Sequence, residues 1–149
     1  VMLLLDTNVL SEFMRPRPDA GVVAWLDAQA QPDLFISAIS RAEIELGLAL
    51  MPAGKRQAGL ARAARAMFEH DFESRCLAFD DSAASHYARL VAERTRRGRP
   101  ISVEDAQIAA IALARGLRLA TRNTSDFTDI DGLVLVDPWR WHGATIAQD

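Results

Sequence analysis

The chain has 149 residues, half of them hydrophobic and one quarter charged, with a net charge of −3 at neutral pH. That length suits a single domain over 1–149 with its own core, and one cysteine, Cys76, excludes an intrachain disulfide framework or a thiolate metal cage. No apolar run is long enough to span a bilayer, Asp6 interrupts the first run too early for a secretory signal, and a cytoplasmic location is expected.

Residues 3–5, all leucine, read as a first buried strand closed by Asp6. Residues 9–14 read as a short helix, stopped by Arg15-Pro16-Arg17-Pro18. Asp19 caps the next helix, where Val22, Val23 and Leu26 make an apolar side and Trp25 adjoins it. Pro32-Asp33 turns into a strand over 34–36. Helices follow over 40–50 and 55–72, then a third strand over 76–79. Asp81 or Ser82 starts a helix that runs to the arginines at 94–99, and Ser102 opens another that ends at Gly116. Strands over 119–121 and 133–136 complete the chain.

Short apolar strands separated mainly by helices predict an α/β fold, a mostly parallel sheet with helices on both faces. Ligands of such sheets bind at the carboxyl ends of the strands. Asp6 and Asp126 stand just after predicted strands, and Glu43 and Asp105 stand in the first turns of helices brought alongside. Carboxylates gathered there repel one another unless a cation sits between them, and oxygen ligands suit a hard divalent ion such as Mg²⁺ or Mn²⁺.

Each acid also has a plainer reading. Ser40-Arg41-Ala42-Glu43 matches a capping box, and Ser102-Val103-Glu104-Asp105 does so with Asp in place of Glu. Asn123-Thr124-Ser125-Asp126 is ordinary turn chemistry. Asp6 is harder to explain this way, because a carboxylate straight after a buried strand loses hydration and needs compensation.

Four ordered segments carry a resemblance. Leu4-Leu5-Asp6-Thr7-Asn8-Val9-Leu10-Ser11-Glu12 resembles the opening motif of PIN-domain ribonucleases, and Ser37-Ala38-Ile39-Ser40-Arg41-Ala42-Glu43-Ile44 resembles the second. Ser102-Val103-Glu104-Asp105-Ala106-Gln107-Ile108-Ala109-Ala110 is similar to the third, and Ala120-Thr121-Arg122-Asn123-Thr124-Ser125-Asp126-Phe127 to the fourth. Within that family the pattern is most similar to VapC/FitB-type toxins of bacterial toxin–antitoxin pairs. The resemblance implies a three-layer α/β/α fold with five parallel strands in the order 3-2-1-4-5.

It also implies a metal-dependent endoribonuclease. Asp6, Glu43, Asp105 and Asp126 take the catalytic acidic positions, with Asp6, Asp105 and Asp126 holding Mg²⁺ or Mn²⁺ and Glu43 orienting or deprotonating the attacking water. Thr7 and Asn8 support them, and Asn123 shares or replaces the role of Asp126. Glu104 is a decoy, since its helical neighbour Asp105 points about 100° away. Arg97, Arg99 and Arg122, with Arg94 and Arg96, form a candidate phosphate-steering rim; helix C-terminal charge complementation is the alternative for Arg94, Arg96 and Arg97. Cys76 is expected to pack, and the tryptophans to anchor core or interface. The implied partners are an RNA substrate, a small antitoxin whose segment covers the pocket, a second copy of the chain, and operator DNA reached through the antitoxin. The apolar faces of the Ser40 and Ser82 helices are the candidate dimer surfaces.

Two rivals bear on the same residues. A haloacid-dehalogenase-type phosphatase or a receiver domain wants paired acids and a late lysine, whereas position 8 is Asn8 and Lys55 is the chain's only lysine. The other rival is a PIN-fold binding module, catalytically weak or inactive, that acts mainly in an operator-binding complex.

Overall fold

The computed structural model describes residues 1–143; the expected domain runs to 149, and 144–149 lie outside the described residues. Five parallel strands form the sheet: β1 (Leu3–Leu5), β2 (Leu34–Ser37), β3 (Cys76–Leu77), β4 (Arg118–Ala120) and β5 (Leu135–Val136). Their order is β3-β2-β1-β4-β5, as expected. β1 is central, with Leu3 opposite Leu34 on one side and Arg118 on the other.

Among the described residues, six α-helices cover the sheet: α1 (Thr7–Phe13), α2 (Ala20–Asp27), α3 (Ala38–Leu50), α4 (Lys55–Ala66), α5 (Asp81–Arg96) and α6 (Val103–Arg115). Side chains alternate across a strand, so β1 feeds two cores. Leu4 packs with Ile108, Ile111, Leu119 and Phe127 on the α5/α6 side. Leu3 and Leu5 pack on the other with Val9, Trp25, Ile36 and Met67. A strand buried on both faces has no polar side to show, which is why it reads as unbroken leucine. Asp19 caps α2 as expected, accepting the Val22 N–H at 3.0 Å. Gly116 ends α6 in the left-handed region at φ +65°, where a side chain is strained.

The structure departs from expectation in three places. Residues 55–72 are not one helix: α4 stops at Ala66 and a π turn, Met67–Asp71, follows. In that widened turn the Phe72 N–H reaches the Met67 carbonyl at 3.0 Å, and Met67, Phe68 and Phe72 all enter the core. The third strand ends at Leu77, and Phe79 instead meets the Tyr87 ring edge-on at 5.8 Å. Cys76 does not pack: on this two-residue edge strand Leu77 turns inward and the Cys76 side chain is exposed. The tryptophan expectation holds for Trp25, which is buried, while Trp139 and Trp141 pack against the same core.

The chain leaves β1 for β2 and β3 on one side and returns to β4 on the other. A crevice opens where the strand order reverses, at the carboxyl end of β1. Asp6 is the next residue. No helix among the described residues is long and apolar enough to cross a membrane.

Candidate active site

Asp6 is only 4% exposed and bonded on every side. Its N–H extends the β1–β4 ladder to the Ala120 carbonyl at 2.9 Å. Its Oδ1 accepts the Thr7 N–H at 2.8 Å and so caps α1. Its Oδ2 accepts from Thr121 Oγ1 at 2.8 Å and from Asn8 Nδ2 at 3.3 Å. The buried Thr121 hydroxyl in turn accepts from Asn8 Nδ2 at 3.2 Å and from the Asn123 N–H at 3.1 Å. Asn8 completes the arrangement by accepting the Arg122 N–H on Oδ1 at 3.2 Å.

The capping-box reading of Glu43 does not survive. Ser37, one turn earlier than Ser40, caps α3 by accepting the Ser40 N–H at 3.0 Å. Ser40 lies inside the helix, and Glu43 is left free of capping. Thr7 Oγ1 donates to Glu43 Oε1 at 2.7 Å and lies 2.8 Å from Ser40 Oγ. A threonine hydroxyl has one proton, so giving it to the carboxylate makes Thr7 the acceptor of the Ser40 hydroxyl. Ser37 Oγ is 3.3 Å from Ser40 Oγ, which extends the relay back to the end of β2.

Asp105 does stay in a capping turn, its N–H donating to Ser102 Oγ at 3.1 Å. Its half-buried carboxylate nonetheless lines a recess of about 480 Å³ together with Asp6, Asn8, Glu12, Glu43 and Asn123. Glu104 is exposed and does not line it. Burial is the largest influence on Asp6 and raises its pKa from the ordinary 3.8 to about 6, against the opposing bonds from Thr121 and Thr7. The charges of Asp105 and Glu43 push the same way. Burial also raises Asp105, with Asp126, Glu43 and Glu104 adding repulsion.

Asp126 stands on the other flank of Asp105. It sits in a short 3-10 turn, Thr124–Phe127, and lines a neighbouring recess of about 450 Å³ with Asp105, Arg94 and Arg99. Asp105 is the wall between the two recesses, and Asn123 is the fourth-motif residue on the Asp6 side.

Among the arginines, Arg94 leaves the proposed rim altogether. It is 4% exposed and donates to the main-chain carbonyls of Arg99, Asp126 and Thr128, pinning the α5–α6 connection to the turn that carries Asp126. Arg97 donates to the Asp129 carbonyl, and Arg99 pairs with the Asp129 carboxylate and Thr128 Oγ1. Arg122 lies over the Trp139 ring, 5.0 Å from its centroid.

The donors around the recess are all oxygens: the Asp6, Asp105 and Glu43 carboxylates and the Asn123 side-chain carbonyl. Burial and mutual repulsion raise the pKa of two of these acids, Asp6 and Asp105, and a cation between them would favour their charged forms. Among the described residues no group of three or more His, Cys, Asp or Glu is set to hold a metal ion by itself. A hard ion that keeps much of its own water fits this donor set, and a zinc cage does not.

Thr121 and Glu12 carry no role in the sequence reading, and Ser40 is read there only as a helix cap. Thr121 and Ser40 are completely buried hydroxyls. Glu12, 5% exposed, accepts the Asp19 N–H at 2.9 Å and pairs with Arg15 at 3.1 Å. Glu12 had a usable signal: it follows Asn8 by four residues on a helix, and that spacing puts both on one face. Thr121 had a weaker one, as the polar residue that ends the strand next to β1.

A family model for the PIN domain matches residues 3–133. The chain is 45% identical over 138 residues to the plasmid stability protein StbB of Pseudomonas syringae pv. tomato, covering 93% of this chain and 99% of that protein. It is 43% identical over 146 residues to the VapC ribonuclease Y4jK of Sinorhizobium fredii, covering 93% and 98%. The solved structure of FitAB bound to an IR36 DNA fragment superposes with a TM-score of 0.87 at 38% identity, covering 96% of this chain and 99% of that one.

Proposed function

The chain belongs to the PIN-domain family, and from that premise we propose that it is a Mg²⁺- or Mn²⁺-dependent endoribonuclease, the toxin of a type II toxin–antitoxin pair. The observation that carries this reading is the convergence of Asp6, Glu43, Asp105 and Asn123 on one recess from four separate parts of the chain. The VapC ribonuclease among the relatives supports the activity.

Asp6 and Asp105 would hold the divalent ion, with Asp126 contributing through water from the far side of Asp105. Bound there, the ion supplies Lewis-acid polarisation of a phosphoryl oxygen and a lowered pKa for water. The protein's own part is positioning. Thr7 and Thr121 hold the two oxygens of Asp6 and favour its charged form against burial. The Ser37–Ser40–Thr7 relay fixes Glu43 through Oε1, leaving Oε2 to orient the attacking water and take its proton. Arg97, Arg99 and Arg122 contact RNA phosphates by exchanging their present partners for the backbone.

The proposed protein partner is a small antitoxin that covers the acidic recess, with operator DNA reached through it; the likeness to FitAB bound to a DNA fragment supports the partner. Leu46 and Leu50, 59% and 76% exposed on α3, favour a homodimer through that helix. A monomer by light scattering at micromolar concentration, without antitoxin, counts against the dimer. RNA cleavage by the purified protein, with and without Mg²⁺ or Mn²⁺ and beside Asp6→Ala and Asp105→Ala, tests the activity. Equal cleavage by wild type and variants sinks it.

A further inference from the structure

An RNA strand whose scissile phosphate sits in the acidic recess must leave it in two directions. One leads past Asp105 toward Asp126. The other leads into a groove of about 670 Å³ bordered by the end of α1, α3 and the start of α4. Groove and recess share Thr7, Ser11, Arg15 and Glu43, so they form one continuous depression.

Its chemistry changes sharply along that path. Past Glu43, the only acid among the described residues that line it, the walls are Met14, Ile44, Leu48, Met51 and Leu60. Lys55 and Arg56 also line it, together with Arg15, which is paired with Glu12. The space exists partly because Gly47 and Gly59 contribute no side chains to it, and a Cβ built on Gly47 meets nothing within 4 Å. A volume inside the roughly 300–1,000 Å³ range of small-molecule sites admits a nucleoside.

We propose that this groove is the subsite for the nucleotide next to the scissile bond. Its base lies against the Met and Leu side chains, and its phosphate meets Arg15, Lys55 and Arg56. The proposal rests on the ribonuclease reading and adds to it a determinant of substrate choice. The apolar walls suit the faces of a base, the cations suit the phosphate beside it, and the open end at Glu43 is where the reacting phosphate must arrive. With no aromatic ring among the described residues of the lining, selectivity comes from the size and edge of the base rather than from ring stacking.

The test fills the groove with Gly47→Leu, a change that suits a helix and has free space around it. Cleavage in Mg²⁺ is measured on one oligoribonucleotide and on copies carrying a single abasic residue at each position around the cut. In the wild type, one adjacent abasic position raises KM roughly tenfold with kcat nearly unchanged, since tenfold is about 1.4 kcal/mol, which at about 25 cal/mol per Å² corresponds to roughly 55 Å² of apolar surface kept from water. Gly47→Leu raises KM similarly on intact RNA and loses the response to the abasic residue. Lys55→Ala with Arg56→Ala makes KM less dependent on salt.

Gly47→Leu cleaving intact RNA as the wild type does overturns the proposal. So does a variant with unchanged RNA kinetics that no longer binds co-expressed antitoxin, which assigns the groove to a protein. Fluorescence anisotropy separates this failure from failure of the nuclease reading. A wild type that binds RNA without cutting it, and loses about tenfold in affinity on Gly47→Leu, ends the nuclease reading and keeps the groove. A wild type that neither binds nor cuts ends both.

Discussion

Thr121 Oγ1 stands 2.8 Å from Asp6 Oδ2, joining the ends of the two neighbouring strands across 115 residues of chain. The hydroxyl also holds Asn8 and the Asn123 N–H. Thr121→Val keeps the shape, takes one bond from Asp6 and one from Asn8, and removes the hydroxyl that accepts the Asn123 N–H. It should cost about 1–3 kcal/mol of stability in urea unfolding, and it should move the acid limb of the pH–rate profile upward, because Asp6 loses a bond that favours its ionised form. Thr121→Ser should restore most of both. A Val variant as stable as wild type, with an unmoved profile, would show that the bond is ornamental.

Asp6 ties stability to pH. Its folded pKa of about 6 lies above the ordinary 3.8, so between those values the folded protein holds a proton that the unfolded chain has released. Stability from this group is therefore present at low pH and lost as pH rises through about 6. In EDTA the wild type should lose about 1 kcal/mol from this source between about pH 5 and pH 7. Asp105, raised in the same direction, should add to it. Asp6→Asn should flatten the dependence in thermal melts. A metal-free wild type whose difference from Asp6→Asn does not change with pH contradicts the assignment.

Mg²⁺ should raise the melting temperature of the wild type with a concentration dependence that reports its affinity. Asp6→Ala should remove that response along with cleavage, and chelation should abolish cleavage reversibly. A wild type that cleaves fully in EDTA excludes the metal-dependent route.

Glu43→Gln can still accept the Thr7 hydroxyl, so the relay and the fold should persist. The water-deprotonating role should not: kcat is expected to fall on the order of 10²-fold with little change in KM or melting temperature. Retained kcat would move the base elsewhere.

Arg94 and Arg122 should separate cleanly. Arg94→Met leaves three carbonyls without their donor and should cost on the order of 3 kcal/mol; Arg94→Lys should rescue little, since an ammonium does not reproduce the planar fork. Arg122→Ala should leave stability nearly intact while raising KM and reducing the salt dependence of RNA binding by about one ion. Unaltered RNA binding in Arg122→Ala would remove it from the substrate path.

The strands and the position of Asp6 were legible because buried parallel strands appear in sequence as uninterrupted apolar runs, and Asp6 ends the most apolar of them; the order of the strands came only from the resemblance of the four motifs to a known family. Glu43 was ambiguous because Ser37 and Ser40 are both competent caps, and pattern alone leaves a helix start uncertain by about one turn. Arg94 was misplaced for a different reason. Arginine in the last turn of an amphipathic helix ordinarily faces water, and only the return of residues 126–128 beneath it supplies the carbonyls that bury it. The role of Thr121 depends on strand pairing across the whole chain, which no local window contains. Asp126 and Asn123 lie three residues apart in one turn, and which faces which recess is decided by the backbone there.

The Asp6–Thr121 bond also sets a schedule. Asp6, Thr7 and Asn8 are made well before Asp105, Thr121 and Asn123, which follow them in the chain. Central strand β1 gains its β4 neighbour only when residues 118–120 emerge, so the recess cannot assemble on an unfinished chain. At roughly 5–20 residues per second, most of synthesis passes with the acids far apart. A nascent chain, and any truncated product that lacks β4, therefore carries the acids without the recess that gathers them.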